Sequence, residues 1–306
     1  YMAARMLTEA GHRGLRSPKR RGSAMANTYS RRDFLKLGLF AAGSALTVGL
    51  VGCGGSGDQA ATTAAAAADK ITLVEDGKLT IVTNYGYIPM EWLENGKAKG
   101  FDIDLGNKIA EELGLSPNWL PDQKFDTIIP TIKQGGHADI SIGSISITDE
   151  RRKEIDFSDP YMDSNQGVVV LADKKGDFDS TEKLNKYDVK VAAQAGTTGE
   201  AWIKETLPNA TLVSLDDSIQ TMTGVESGLY DACVNDLPVM QYMCENSYTD
   251  LAVSLEIPTG EQYGIVVSKE NPALTEKINE ALKKMEDDGS MEELKKKWFG
   301  DMADSI

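Results

Sequence analysis

The segment Gly143–Tyr161, GSISITDERRKEIDFSDPY, alternates Ser and Ile from Ser144 to Ile147 and then turns abruptly charged. Period-two alternation predicts a half-buried strand carrying Ser144 and Ser146 on one side and ending at Thr148. Arg151 follows within reach of that strand end. Open α/β sheets bind ligands at the carboxyl ends of their strands. An arginine there presents a planar fork that grips a carboxylate through two parallel hydrogen bonds, and the backbone N–H groups at Gly143 and Ser144 add neutral donors. Arg152 and Lys153 read as ordinary solvated basic residues.

On either side, short β-rich runs alternate with amphipathic helices. KLTIVTN, ADISIGS, GVVVLA, VKVAAQ, YDACVND and YGIVVS read as strands. Between them, DIDLGNKIAEELG puts Leu105, Ile109, Ala110 and Leu113 on one helical face and stops at Gly114, a natural glycine just past a helix end. DDSIQTMTGVESG repeats the pattern with Ile219, Met222 and Val225. ALTEKINEALKKMEDDG aligns Leu274, Ile278, Ala281, Leu282 and Met285. A last helix is expected to open on Ser290 with Glu293 as a capping box and to turn Leu294 and Trp298 inward. The alternation predicts an α/β class with largely parallel sheets. The stretch from Ile71 onward exceeds the commonest domain size, so two lobes are expected, with GVVVLADKK and PTGEQYGIVVSKE as crossover strands.

The front of the chain differs. Residues 1–52 hold nine Lys or Arg against two Asp or Glu, so a chain of net charge −15 divides into a leader near +7 and a remainder near −22. The apolar run Leu37–Gly52 has 16 residues, short of the roughly 20 that a membrane span needs. A basic flank followed by a short apolar stretch and small residues describes a signal peptide. SRRDFLK (Ser30–Lys36) resembles the twin-arginine leader motif, and LVGC resembles a lipobox, which implies a lipid on Cys53. MANTYSRRDFLK reads as a protein start at Met25, so Tyr1–Thr28 is left out of fold reasoning. Residues 53–70, rich in Gly, Ala and Thr, lack any large aliphatic or aromatic side chain before the fold and read as a flexible tether.

Several chemistries lack material. His12 lies in the leader and His137 in the loop QGGHADI, which leaves no metal centre and no histidine-based catalytic group. After lipidation the thiols are Cys233 and Cys244; one falls on a strand and the other late in a helix, and their pairing is left open. GTTGE lacks the Lys of a phosphate loop. A body near −22 repels phosphate backbones, which argues against nucleic acid as a partner. No cofactor is expected.

Two further segments complement Arg151. In QAGTTGEAW, Thr197 or Thr198 can cap a helix running from about Gly199 to Thr206, and the N–H groups at a helix start attract anions. In DACVNDLPVM, Asp236 ends a strand ahead of Pro238, where a carboxylate can take an ammonium group. Each alone is no more than a cap.

Together, GFDIDLGNKIAEELG, FDTIIPTI, SITDERRKEIDFSDPY and KKWFG resemble, in order and approximate spacing from Leu79 to Gly300, the amino-acid solute-binding proteins that feed ABC importers. That family includes the glutamine-binding and the lysine/arginine/ornithine-binding proteins. The resemblance implies an α/β type II periplasmic-binding fold, with lobe 1 at residues 71–162 and 264–306 and lobe 2 at 163–263. It implies that Arg151, assisted by Ser144, Ser146 and Thr198, holds the α-carboxylate of a free amino acid, while Asp236 holds its α-ammonium. It places Asn84, Tyr87 and Phe125 at the side-chain pocket and Gln194 and Asn235 at two more lining positions. Family members often carry an acid where this chain has Asn84, which favours a neutral polar amino acid here over a basic one. The implied partners are the permease subunits of an ABC importer and, through Cys53, the outer face of the cytoplasmic membrane, with the protein a monomer. The alternatives are a cyclohexadienyl dehydratase-like enzyme on the same fold, or a ligand-sensing domain. The amides Asn84, Gln194 and Asn235 supply no titratable acid for such a dehydration.

Overall fold

The protein is described here by a computed structural model covering residues 70–306. The twin-arginine segment Ser30–Lys36, Cys53 and the tether as far as Asp69 lie outside the described residues.

In chain order the elements are β1 (Lys78–Val82), β2 (Trp92–Glu94), β3 (Lys97–Lys99), α1 (Phe101–Glu112), β4 (Ser116–Trp119), α2 (Phe125–Gln134), β5 (Ile140–Ser141), α3 (Asp149–Glu154), β6 (Asp156–Phe157) and β7 (Met162–Leu171). Then follow α4 (Thr181–Leu184), β8 (Lys190–Gln194), α5 (Thr198–Thr206), β9 (Thr211–Leu215), α6 (Ser218–Glu226), β10 (Ala232–Asp236), α7 (Leu237–Asn246), β11 (Leu251–Tyr263), β12 (Val266–Val267), α8 (Pro272–Asp287) and α9 (Ser290–Phe299). One five-stranded sheet has the order β4-β1-β5-β12-β6 and another the order β11-β7-β10-β8-β9, with β2 and β3 as a separate hairpin.

Both sheets are mixed, not largely parallel. In the first, β1 runs parallel to β4 and β5 while β12 pairs antiparallel with β5 and β6. In the second, β8 is parallel to β9 and β10, and β7 is antiparallel to both β10 and β11. The central strands are near-continuous apolar runs, such as Val168–Val170 in β7 and Ala232–Val234 in β10, because helices cover both faces. The helical stripes behave as their spacing predicts: Leu105, Ile109 and Ala110 of α1 and Leu274, Ile278, Leu282 and Met285 of α8 are buried in one cluster. In α6, Met222 and Val225 are fully buried and Ile219 is half-buried.

Two local expectations are corrected. Helix α9 is capped not by Ser290 but by Gly289, which adopts a left-handed conformation (φ 81°). The Asp288 carboxylate takes the Ser290 N–H, and the Ser290 hydroxyl turns back to Met285 O, so no capping box forms. The residues of α9 that enter the core are Met291 and Phe299, with Leu294 and Trp298 packed at its margin. The alternating stretch Ser144–Ile147 is no strand either. Strand β5 ends at Ser141, and Ser144 sits at φ 52°, which turns its N–H onto Asp102 Oδ2 at 2.8 Å.

Cys233, on β10, and Cys244, on α7, are both free; Cys233 is buried with its sulfur 3.7 Å from Met222 Sδ. His137 is exposed in its loop.

Candidate functional site

The ends of both sheets meet at one cavity of about 370 Å³. All twelve residues singled out above line it: Asn84, Tyr87, Phe125, Gly143, Ser144, Ser146 and Arg151 from the first half, and Gln194, Thr197, Thr198, Asn235 and Asp236 from the second. Glu91 completes the wall.

Arg151 is positioned from its own backbone outward. The Thr148 side chain caps α3 by accepting from Arg151 N at 3.1 Å. The guanidinium donates through Nη1 to Ser146 O at 2.7 Å and through Nη2 to Gly196 O at 3.0 Å, and its Cζ stands 5.6 Å from the centre of the Phe125 ring. Among the described residues no carboxylate lies within the 4.0 Å of an ion pair. Burial lowers its pKa, while the charges of Asp236 and Glu261 act to raise it. A half-buried cation with spare donors and no directly paired anion creates a local demand for negative charge.

Asp236 supplies the opposite sign. It heads α7 without using its carboxylate as a cap. Its oxygens accept instead from Tyr87 Oη at 2.9 Å and from Gln166 Nε2 at 2.6 Å. Burial first, then the neighbouring Glu261 charge, pushes its pKa up to about 6.

The amides form the wall between these charges. Gln194 Nε2 donates to Asn84 Oδ1 at 2.8 Å, joining the two halves, and Asn84 Nδ2 donates to Asp122 Oδ1 at 3.2 Å. Asn235 Oδ1 accepts from Tyr87 Oη at 3.2 Å, whereas its Nδ2 is buried without a partner, as is Ser144 Oγ. At the rim, Lys124 pairs with Asp216.

Two expected donors are already committed. Ser144 N–H belongs to Asp102, so of Ser144 only the hydroxyl is free to serve the cavity. Thr197 is the N-cap of α5; its Oγ accepts from Glu200 N at 3.1 Å and donates to Gln194 O at 2.7 Å. Gly143 is required where it stands, since a Cβ there would lie 2.4 Å from Thr83 Oγ1.

Sequence reasoning missed Glu91, Gln166 and Glu261. Glu91 is 2 % exposed and forms a buried pair with Asp102 behind Gly143 and Ser144. Both pKa values are raised chiefly by burial, that of Asp102 to about 7. Among the described residues, Glu91 Oε2 and Asp102 Oδ1 are buried without a hydrogen-bond partner. Gln166 lies on β7, one residue before the crossover segment GVVVLADKK, and Glu261 lies on β11 within the crossover segment PTGEQYGIVVSKE. No spacing rule connects either of them, or Glu91, to Arg151.

Residues 79–301 match the family of bacterial extracellular solute-binding proteins, family 3, and the chain belongs to that family. It is similar to the glutamine-binding protein GlnH of an ABC transporter of Bacillus subtilis, 31% identical over 82% of this chain and 92% of the relative. Among solved structures, it is similar to an ancestral amino acid-binding protein described as a precursor of cyclohexadienyl dehydratase, with 38% identity, a TM-score of 0.67, and coverage of 73% of this chain and 95% of the other. An ancestral arginine-binding protein bound to glutamine is similar at 37% identity and a TM-score of 0.68, covering 74% of this chain and all 100% of the other. The α/β architecture is thus the type II periplasmic-binding fold, and the chain is a solute-binding protein of family 3 whose relatives named above are amino-acid-binding proteins.

Proposed function

We propose that this protein captures a free amino acid, neutral and polar in its side chain, by closing two lobes around it and delivers it to the permease of an ABC importer. The lobes are residues 71–162 with 264–306, and residues 163–263. Arg151, with the free hydroxyl of Ser144, takes the α-carboxylate; Asp236 takes the α-ammonium; Asn84, Gln194 and Asn235 face the side chain, which packs beside Phe125. A zwitterion touching both lobes shifts their equilibrium by its difference in affinity for the closed and open states. Cys53 carries the lipid that holds the body at the outer face of the membrane, and the protein works as a monomer.

The observation that carries this reading is one cavity containing a half-buried Arg151 with no directly paired carboxylate among the described residues, a half-buried Asp236, and two buried polar atoms without partners among those residues, Ser144 Oγ and Asn235 Nδ2. A zwitterion answers all of these demands together. Catalysis is not part of the proposal. The acids at the cavity, Glu91 and Asp236, are engaged by Asp102 and by Tyr87 with Gln166, respectively. The test is calorimetric titration of the full chain and its Arg151→Ala variant with the amino acid selected by a thermal-shift screen. Loss of binding with the fold intact is expected; unchanged affinity refutes the assignment.

A further inference from the structure

Glu261 occupies an unusual place for a residue of a long strand. Strands β7 and β11 pair Ile257 with Gln166, and then the register slips so that Glu261 falls opposite Ser164. The intervening Pro258-Thr259-Gly260 carries a left-handed glycine (Gly260, φ 65°). The slip delivers Glu261 beside Ser146, which itself bridges to Tyr263. Its Oε2 accepts from Ser146 Oγ at 2.6 Å and from Thr198 Oγ1 at 2.7 Å, with Gln166 Nε2 at 3.3 Å. One oxygen of one carboxylate thus receives hydroxyls from both halves of the cleft.

A hydroxyl has one hydrogen and two lone pairs. A Ser or Thr hydroxyl that gives its hydrogen to Glu261 has none left to give a ligand. Ser146 Oγ then offers the cavity only lone pairs, and Thr198 Oγ1, which also accepts from Gln166 Nε2 at 3.1 Å, offers what remains. We infer that Glu261 is a positioning residue that fixes the polarity of this wall: by taking the hydrogens of Ser146 and Thr198 it makes both hydroxyls acceptors, so that they recognise the ligand's ammonium group and reject a second donor-seeking oxygen in its place. The inference rests on the amino-acid reading above but reverses one part of the family-derived expectation, in which these two hydroxyls assist with the carboxylate. The division of labour becomes sharper. Arg151 and Ser144 serve the anion, while Asp236, Ser146 and Thr198 serve the cation. Gln166, bonded to both Asp236 and Glu261, ties the two acids into one unit.

The test compares ligands that differ only in the ammonium group: L-glutamine with glutaramic acid, and L-arginine with 5-guanidinopentanoic acid, titrated into the full chain. Glu261→Gln keeps the size but offers an amide that can donate back, freeing a hydroxyl hydrogen. The ratio of affinities, amino acid over its des-amino analogue, is expected to fall by about tenfold or more, the worth of one hydrogen bond to a charged group. A parallel loss for both members of a pair, an unchanged ratio, or tighter binding of the amino acid overturns the inference. Ser146→Ala separates hydroxyl polarity from the bare charge of Glu261, which it leaves in place. It should lower the same ratio, and a ratio equal to wild type sinks the inference even if Glu261→Gln lowers it or fails to fold. Wild-type protein that binds neither amino acid, nor any other in a thermal-shift screen, overturns the amino-acid reading and this inference with it. Wild-type binding with an unmoved ratio defeats the inference alone.

Discussion

Tyr87 Oη lies 2.9 Å from Asp236 Oδ2, so a phenol from the segment after β1 meets a carboxylate at the end of β10. That hydrogen bond lowers the pKa of an acid that burial has pushed up to about 6. A protonated Asp236 no longer attracts an ammonium. Affinity for a zwitterion should therefore weaken as pH falls through about 6, and Tyr87→Phe, which removes a stabilising donor, should move that midpoint upward. Calorimetry from pH 5 to 8 reads both effects. A midpoint unmoved by the substitution contradicts the assigned coupling.

Asp102 yields a stability prediction of opposite sense to that of a salt-bridged acid. Burial raises its folded pKa to about 7, well above the ordinary carboxylate range, so the folded state binds its proton more tightly. The resulting stabilisation is fully present below about pH 4 and is lost as pH rises through about 7. Asp102→Asn mimics the protonated form. The variant should be the more stable protein at pH 8, by about 1–4 kcal/mol, with the difference shrinking towards pH 5. Thermal melts across that range check it.

Gly143→Ala tests how closely the cavity wall is packed. The new methyl would meet the buried Thr83 Oγ1 at 2.4 Å, and overpacking of this kind costs about 1–3 kcal/mol. Because Ser144 is the next residue, ligand affinity should fall along with stability in chemical denaturation. A neutral substitution would mean that the Thr83 side chain yields freely.

Arg151→Lys keeps the charge but loses the fork. A lysine ammonium cannot reach Ser146 O and Gly196 O while also presenting two parallel donors to a carboxylate. Affinity should drop by about 10- to 100-fold with an unchanged melting temperature. Equal affinity would show that charge alone suffices.

What could be read beforehand followed from local physics. The stripes of α1 and α8 and the apolar runs of β7 and β10 are decided by burial period, and each is where its pattern placed it. The twelve lining residues fall on one cavity; local pattern marks Gly143, Ser144, Ser146, Arg151, Thr197, Thr198 and Asp236, whereas Asn84, Tyr87, Phe125, Gln194 and Asn235 come only from the family resemblance. Non-local competition was invisible. Nothing in SISIT announces that a buried Asp102 will claim Ser144 N–H and bend the chain out of strand geometry. Ser290 looked like a cap because its rival, Asp288, acts two residues earlier through a glycine turn. Glu91 and Glu261 carry no local signal for the same reason: their partners, Asp102, Ser146 and Thr198, are supplied by other elements or by a slipped register.

Strands β7 and β11 are hydrogen-bonded from Leu171 with Leu251 to Met162 with Tyr263, which makes the two passages a single ribbon instead of two independent threads. A ribbon resists shear between its edges far more than it resists twisting about its length. Under the proposed lobe closure, movement of the flanking bodies passes through this paired passage, and Glu261, mounted on β11, turns with it.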